Sequence, residues 1–232
     1  MKYNILITGA SKGLGYSLTE LYLSQGYFVI ATYRKNLGNL ENLKGNSNLL
    51  HSLMDISDEN SVKEAYESIK EKVAHIDILI NNAAIYLEDK SKTIEDVDIE
   101  KVIQTLNTNS VGPLRVLKYF YPLVEKSTKK LIINISSEAG SISNCWRDRE
   151  YGYCMSKSAL NMLSMILQNY GKNKGVKVLA IHPGWMRTDM GGPDADISSK
   201  ESAEGIFKLS LKDWDVNDKN IYMDYTGEIM SW

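Results

Sequence analysis

The chain contains few cysteines and histidines, and their positions exclude two common kinds of site. Its 232 residues include 2 cysteines and 3 histidines. Cys145 and Cys154 form no CxxC pair, and neither they nor the histidines show the close spacing that metal ligands require. The sequence therefore predicts a reduced protein without a metal centre.

Excess charge of one sign and long apolar runs are also missing. The 27 Lys and Arg residues nearly balance the 29 Asp and Glu residues, so no global field would attract nucleic acid or an acidic membrane. No apolar run approaches the roughly 20 residues needed to cross a bilayer, and the N-terminus lacks the pattern of a signal peptide. We therefore expect a cytoplasmic protein that binds neither nucleic acid nor membrane.

Short apolar runs alternate with amphipathic stretches along the chain. The predicted β-strands cover residues 3–8, 27–32, 49–54, 76–81, 130–136, 176–182 and 221–224. The predicted helices cover residues 14–25, 59–74, 94–106, 111–125, 153–170 and 200–211. This alternation predicts an α/β fold in which a mostly parallel sheet carries helices on both faces. The length and the 43% hydrophobic content favour one domain over residues 1–232.

Two kinds of connection carry additional local signals. Ser57-Asp58 and Ser199 precede helical stretches, and serine and aspartate commonly cap the free N–H groups of a first helical turn. The polar segment 35–48 is long for a connection between strands, so we expect a distorted helical turn within it.

A glycine-rich turn follows the first predicted strand directly. Gly9 would permit a tight turn, whereas Gly13 and Gly15 would let a pyrophosphate approach the helix N-terminus, where free N–H groups and the helix dipole attract anions. The order of strand, glycine turn and helix predicts a dinucleotide site, and an ordinary strand-to-helix turn is the alternative. The turn reads Thr8-Gly9-Ala10-Ser11-Lys12-Gly13-Leu14-Gly15.

The residues after the second strand indicate which dinucleotide would bind. An NAD site normally has an acidic residue there for the ribose 2′-hydroxyl, but this chain has Arg34. Arg34 and Lys12 could both meet a 2′-phosphate, and a guanidinium matches phosphate oxygens particularly well. The two cations predict NADP(H), and the alternative is that both are solvated surface side chains.

Four tyrosines have a lysine four residues later, so the YxxxK spacing alone identifies no catalytic pair. Only Tyr153 begins a long helix after a strand that ends in Ser136-Ser137. A serine hydroxyl can therefore meet that pair at the carboxyl edge of the sheet, where ligands bind in open α/β folds. The ordinary pKa of tyrosine is about 10, and the cation of Lys157 one helical turn away would lower it. The four tyrosines are Tyr66, Tyr86, Tyr153 and Tyr170.

Several further motifs occur in a fixed order along the chain. They are Asn81-Asn82-Ala83-Ala84 after the fourth strand, Asn109-Ser110-Val111-Gly112, Ser136-Ser137, Tyr153 with Lys157, and His182-Pro183-Gly184 after the sixth strand. Together with the TGxxxGxG turn, this set resembles the short-chain dehydrogenase/reductase family over nearly the whole chain. Segments 137–143, 151–153, 182–185, 189–193 and 227–232 look like its carbonyl-reductase branch, which includes Sniffer and C-factor.

The resemblance implies a fold, a cofactor and a set of roles. It implies a Rossmann-like, doubly wound sheet of seven strands in the order 3-2-1-4-5-6-7, and NADP(H)-dependent hydride transfer to a carbonyl. Tyr153 would be the acid or base, and Lys157 would lower its pKa and hold the nicotinamide ribose. Ser137 would bind the substrate oxygen, and Asn109 would hold a relay water. The implied cofactor-binding residues are Gly9, Ser11, Lys12, Gly13, Leu14, Gly15, Arg34, Asp55, Ile56, Asn82, Ala83, Tyr153, Lys157, Pro183, Gly184, Met186 and Thr188.

Two features depart from the family pattern. Ala84 stands where a glycine is usual, and we expect its methyl group to be tolerated because alanine is the smallest alternative. Tyr153 also follows Ser137 at a greater distance than is usual. The additional residues form a loop, 138–152, that must fold away from the approach of Ser137 to Tyr153.

The inserted loop and a second loop, about 185–199, should surround the substrate, for which the family implies a small ketone, aldehyde or quinone. Because Asp148 and Glu150 alternate with two arginines, we expect a solvated charged loop rather than an anion site there. Glu88 and Asp89 suggest another solvated loop around Tyr86. Cys154 and His182 are expected to be packing residues. The candidate substrate residues are Tyr86, Trp146, Arg147, Arg149, Trp185 and 189–199.

Two other functions are compatible with the same residues. One is an NADP(H)-binding signalling or sensor protein with little turnover, and the other is an epimerase or dehydratase, although the chain lacks the length for a separate substrate lobe. The family also implies a homodimer or homotetramer in which helices from Val111 and Tyr153 pair across a two-fold axis. Met155, Met162 and Met165 favour that pairing, although an apolar helix face is more often ordinary core.

Overall fold

A parallel sheet of seven strands lies at the centre of the computed structural model, which describes residues 2–232. Its strands follow the order β3-β2-β1-β4-β5-β6-β9, and every pairing between them is parallel. Since β9 is the seventh strand of this sheet, the predicted order 3-2-1-4-5-6-7 is confirmed. The strands are β1 (Asn4–Ile7), β2 (Phe28–Tyr33), β3 (Leu49–Leu53), β4 (Ile78–Asn81), β5 (Leu131–Ile135), β6 (Lys177–His182), β7 (Met186–Arg187), β8 (Ile197–Ser198) and β9 (Tyr222–Asp224).

Six α-helices connect these strands and overlap the predicted ones, although α3 begins at Ile99 rather than residue 94 and α2 ends at Lys70 rather than residue 74. The expected helical turn between β2 and β3 is a 3-10 helix, Gly38–Leu43. Asp58 caps α2 by accepting the N–H of Asn60, as predicted, but α6 is capped by Ser198 rather than Ser199. Ser198 has extended backbone angles, so its hydroxyl reaches the N–H of Glu201. The helices are α1 (Gly13–Ser24), α2 (Glu59–Lys70), α3 (Ile99–Leu106), α4 (Gly112–Glu125), α5 (Tyr151–Gly171) and α6 (Ser199–Leu211).

Hydrophobic cores cover both faces of the sheet. In β1, Ile5 and Ile7 pack into one core with α1 and α6, whereas Leu6 packs into the other with α2 and α4. Alternate strand residues point to opposite faces, so a strand buried on both sides needs an unbroken apolar run. This is why the predicted strands lack polar alternation.

The strand order creates a crevice at the carboxyl edge of the sheet. From β1 the chain moves outward to β2 and β3, and it then returns to the other side of β1 to form β4. Loops after β1 and β4 therefore diverge at this edge, which is the usual ligand position in doubly wound folds. The glycine turn and the segments after β4, β5 and β6 all begin there.

Within residues 2–232, no helix is both long and apolar enough to cross a membrane. The same residues contain no group of three or more His, Cys, Asp or Glu side chains arranged to hold a metal ion. Cys145 and Cys154 are both free thiols.

Candidate active site

The glycine turn leaves the N-terminus of α1 open. Gly9 and Gly13 have φ angles of +67° and +56°, which favour glycine and bend the chain between β1 and α1. Lys12 is the N-cap residue, but no side chain in residues 2–232 caps the first turn, and that turn contains no acidic residue. Its free N–H groups are therefore available to an anion such as a phosphate.

Asn82 fixes the glycine turn against the end of β4. Thr8 Oγ1 accepts the N–H groups of Asn82 and Ala83, each at 3.0 Å. Asn82 Nδ2 donates to the carbonyl oxygens of Thr8 and Gly9 at 2.8 and 3.2 Å. A Cβ on Gly15 would lie 2.4 Å from the Gly9 oxygen and 2.5 Å from Asn82 Nδ2. Close packing therefore requires glycine at position 15. From the sequence alone, this glycine is explained only by the approach of a pyrophosphate.

The two predicted phosphate-binding cations differ in their surroundings. Arg34 is exposed after β2 and forms no ion pair within residues 2–232. Lys12 is also exposed, but its Nζ lies 2.6 Å from Asp189 Oδ2 in the loop after β6. An anion that binds Lys12 must therefore compete with Asp189.

The remaining predicted adenosine-side residues are ordered by local contacts. Asp55 Oδ1 accepts the N–H and the hydroxyl of Ser57, at 2.9 and 2.6 Å. Ile56 is buried, and its side chain would collide with any Cβ placed on Gly112. In the glycine turn, Leu14 belongs to the core and the Ser11 carbonyl accepts the N–H of Asn39 at 2.8 Å.

Ser137, Tyr153 and Lys157 come together at the carboxyl edge of the sheet. Ser137 follows β5, and its backbone carbonyl accepts the hydroxyl of Tyr222 at 2.7 Å. Lys157 is buried, donates from Nζ to the carbonyl of Ile135 at 2.8 Å, and lies 5.7 Å from the centre of the Tyr153 ring. Helix α5 thus brings the tyrosine and the lysine to the end of β5, close to Ser137.

Burial controls the ionisation of this group. It raises the pKa of Tyr153 to about 12, opposite to the lowering expected from Lys157, and the nearby Ser137 hydroxyl only partly offsets the rise. Burial also lowers the pKa of Lys157 to about 8. Both shifts favour the neutral side chain, so Tyr153 is protonated at neutral pH in the cofactor-free protein.

Asn109 connects α5 to the segment after β4. It lies in a π-helical turn, Asn107–Val111, between α3 and α4. Its Oδ1 accepts the N–H of Ile85 at 2.8 Å, and its Nδ2 donates to the Ile85 carbonyl at 2.9 Å and to Ser156 Oγ at 3.1 Å. Ala84, which precedes Ile85, does not have a positive φ, so the backbone at this position suits alanine, as expected.

The loop after β6 turns back over the glycine turn. Gly184 has a φ of +80°, and Met186 pairs with Ile197 in a two-stranded parallel sheet, β7–β8, which the sequence did not predict. A Cβ on Gly13 would lie 3.6 Å from the Thr188 side chain, so the two loops face each other across the crevice. Pro183 is buried at the start of the loop.

The inserted loop 138–152 differs from its prediction. Arg147 is not solvated: its side chain is only 15% exposed and is paired with Glu138 and Glu150. Arg149 is exposed, as predicted for a solvated charged residue. Glu88 was also expected in a solvated loop, but its carboxylate accepts the N–H groups of Gly152 and Tyr153 at 2.8 and 2.7 Å and so caps α5. No local sequence signal points to this cap, because the partners are 64 and 65 positions apart.

Of the other YxxxK tyrosines, Tyr86 packs against the Tyr153 ring with 5.2 Å between ring centres, whereas Tyr66 and Tyr170 lie elsewhere. Lys70 lies over the ring of Tyr66 on one helix face, as expected. His182 Nδ1 accepts the N–H of Glu138 at 3.2 Å, and burial lowers the histidine pKa. Burial raises the pKa of Cys154 to about 11, so little of the reactive thiolate is present at neutral pH.

Proteins of similar sequence carry consistent descriptions. The sequence profile of the family described as short chain dehydrogenase matches residues 3–197. Oxidoreductase BOA17 of Botryotinia fuckeliana is 31% identical over 212 residues, which are 89% of this chain and 75% of that protein. The C-signal protein of Myxococcus xanthus is 31% identical over 157 residues, which are 68% of this chain and 93% of that protein.

Two solved structures superpose over the whole chain. Carbonyl reductase Sniffer of D. melanogaster has a TM-score of 0.91 at 29% identity and covers 100% of both chains. The NADPH-bound carbonyl reductase from chicken fatty liver has a TM-score of 0.90 at 30% identity, and the match covers 100% of this chain and 99% of that one.

A Rossmann-like sheet with an open helix N-terminus, together with a half-buried tyrosine and a buried lysine, defines an oxidoreductase of the nicotinamide-dependent class. The profile match and the relatives then specify the family. The chain belongs to the short-chain dehydrogenase family.

Proposed function

We propose that this protein is a cytoplasmic, NADPH-dependent reductase that converts the carbonyl group of a small ketone, aldehyde or quinone into an alcohol. The observation that carries the proposal is the meeting of Ser137, Tyr153 and Lys157 at the edge where α1 presents its uncapped N-terminus. The free thiols agree with a reducing compartment. Residues 1–232 would act as one unit, with loop 185–199 over the substrate.

The crevice offers binding groups for several parts of a dinucleotide phosphate. The open first turn of α1 would hold the pyrophosphate, and the exposed Arg34 would bind the 2′-phosphate. Lys157 would hold the nicotinamide ribose, and Thr188 faces the glycine turn from the opposite side. The NADPH in the chicken carbonyl reductase and the NADP in a Burkholderia multivorans relative of 27% identity support this assignment.

In the reducing direction, Tyr153 would donate its phenolic proton to the carbonyl oxygen. The bound nicotinamide would supply the hydride to the carbonyl carbon. The high pKa of Tyr153 keeps the proton on its oxygen at neutral pH, and Ser137 would hold the carbonyl oxygen by a hydrogen bond. Lys157, with a pKa of about 8, stays largely protonated at pH 7 and would stabilise the phenolate left behind. Asn109 would order the water through which Tyr153 recovers its proton.

Nucleotide titration and turnover of two tyrosine variants test this proposal. NADPH and NADH binding would be followed by fluorescence, and oxidation of NADPH by nicotinamide absorbance against a panel of ketones, aldehydes and quinones. Tyr153→Phe should retain NADPH binding and lose turnover, whereas Tyr170→Phe, from another YxxxK pair at the far end of α5, should retain both. NADPH binding without turnover by the unmodified protein would favour the sensor function, and absence of binding would refute the proposal.

We also propose that the protein is a homodimer or homotetramer. Met155 and Met162 on α5, and Leu114 on α4, are 52, 63 and 49% exposed, which leaves apolar surface available for a partner. Met165 is only half-exposed and contributes less than the sequence suggested.

A further inference from the structure

Arg147 joins the two chain segments that carry the catalytic serine and the catalytic tyrosine. Its Nη1 and Nη2 donate to the two carboxylate oxygens of Glu138, each at 2.5 Å, and its Nε donates to Glu150 at 2.7 Å. Glu138 follows Ser137 directly, and Glu150 is the N-cap residue of α5, three positions before Tyr153. The guanidinium therefore closes the inserted loop 138–152 at its base.

Glu150 is held in a conformation that a residue with a side chain rarely adopts. Its φ is +63°, and a residue with a Cβ is strained in this left-handed region because the Cβ crowds the following carbonyl oxygen. One carboxylate oxygen binds Arg147, and the other accepts the hydroxyl of Tyr86 at 2.8 Å. The Tyr86 ring in turn packs edge-on against the Tyr153 ring, with 5.2 Å between ring centres. Through these contacts the ion pair also fixes the catalytic ring.

The same network sets the charge around Tyr153. The charged and titratable groups that face its side chain are Glu138, Arg147, Cys154 and Tyr86, with Lys157 one helical turn away. Glu138 raises the pKa of Tyr153 and Arg147 lowers it. Glu150 and Glu88 lie at the start of the same helix, the first paired with Arg147 and the second with backbone N–H groups. Loss of the guanidinium would leave the carboxylates of Glu138 and Glu150 without their cation near the tyrosine.

From this geometry we infer that Arg147 is a positioning residue for catalysis, which holds the Ser137 segment and the N-terminus of α5 together and neutralises Glu138 beside Tyr153. The inference rests on the proposed role of Tyr153. It also explains why this arginine is buried among carboxylates instead of presenting its charge to a substrate.

The first test is the pH dependence of alcohol oxidation with NADP+, in which Tyr153 must be deprotonated to accept the proton. Arg147→Met should raise the Tyr153 pKa, so the acid limb of kcat/KM should move to higher pH by roughly half to one unit. Displacement of the reacting groups should also lower kcat on the order of 10- to 100-fold. Glu138→Gln is nearly isosteric and removes the opposing charge, so its acid limb should move to lower pH.

The second test needs neither substrate nor cofactor. Amide hydrogen exchange of the cofactor-free protein should become faster at Gly152 and Tyr153 in Arg147→Met, because the first turn of α5 loses its anchor. Lys174→Met is the control, since it removes an ion pair with Glu125 and should change neither the exchange of those amides nor the acid limb.

These results separate the two proposals. Full turnover in Tyr153→Phe would refute the proposed role of Tyr153, and the exchange experiment would still decide whether Arg147 anchors α5. The positioning role would be overturned if the acid limb stayed in place in both Arg147→Met and Glu138→Gln. It would also be overturned if a folded Arg147→Met protein showed unchanged amide exchange at Gly152 and Tyr153. A limb that moves in the same direction in both variants would also overturn it.

Discussion

Replacing Arg34 by alanine should weaken the binding of NADPH and leave the binding of NADH nearly unchanged. Arg34 is exposed at the end of β2, and within residues 2–232 no carboxylate is paired with it. Its full charge is therefore available to the 2′-phosphate, which NADH lacks. The difference between the two nucleotides isolates this contact from the rest of the cofactor site.

The expected size follows from the kind of contact that is lost. A hydrogen bond to a charged group contributes about 1.5–3 kcal/mol, so Kd for NADPH should rise roughly 10- to 150-fold. Lys12→Ala should have a smaller effect, because Lys12 already pairs with Asp189 at 2.6 Å. Asp189→Asn should release Lys12 and tighten NADPH binding by about twofold to fivefold, as is typical for loss of an exposed ion pair.

Fluorescence titration of both nucleotides at fixed, moderate ionic strength measures these effects. Lys35→Ala is the matched control, since Lys35 is the next residue and is also exposed, and it should change neither Kd. Equal weakening of NADPH and NADH in Arg34→Ala would refute the assignment of Arg34 to the 2′-phosphate. A tightening by Asp189→Asn that persists in the Lys12→Ala background would show that Asp189 acts by another route.

Three further outcomes are expected. Lys157→Met should abolish turnover yet stabilise the cofactor-free protein at pH 7 by up to about 3 kcal/mol, because burial depresses the lysine pKa from 10.5 to about 8. This gain in stability should shrink as the pH rises from 8 to 10.5. A Tm at pH 7 below that of the unmodified protein would contradict the prediction. Since burial also lowers the pKa of His182, stability should be lost as pH falls below the ordinary value of 6.5, and His182→Asn should flatten this loss in thermal melts between pH 7 and 5. Light scattering should give a dimeric or tetrameric mass that Met162→Glu reduces; a monomeric mass for the unmodified protein would refute the oligomer.

Much of the fold could be predicted from the sequence, because its signals are local. Strands buried on both faces need unbroken apolar runs such as Ile78–Ile80, and an anion-binding turn needs glycine where φ is positive, as at Gly9 and Gly13. Among four YxxxK pairs, Tyr153 could be selected because it follows a strand that ends in serine, and parallel strands end at a common edge. Order along the chain was sufficient for these conclusions.

The electrostatic partners were decided by the tertiary structure alone. Lys12 and Asp189 are 177 positions apart, and Glu88 is 64 positions from the N–H group of Gly152. Arg147 was predicted to be solvated because its neighbours in sequence alternate in charge. In the fold, however, the carboxylates of Glu138 and Glu150 converge on it and its side chain is largely covered. A sequence lists charges but does not specify which will meet. That depends on how the loops after β1, β4, β5 and β6 approach one another at the edge of the sheet, and therefore on the packing of the whole domain.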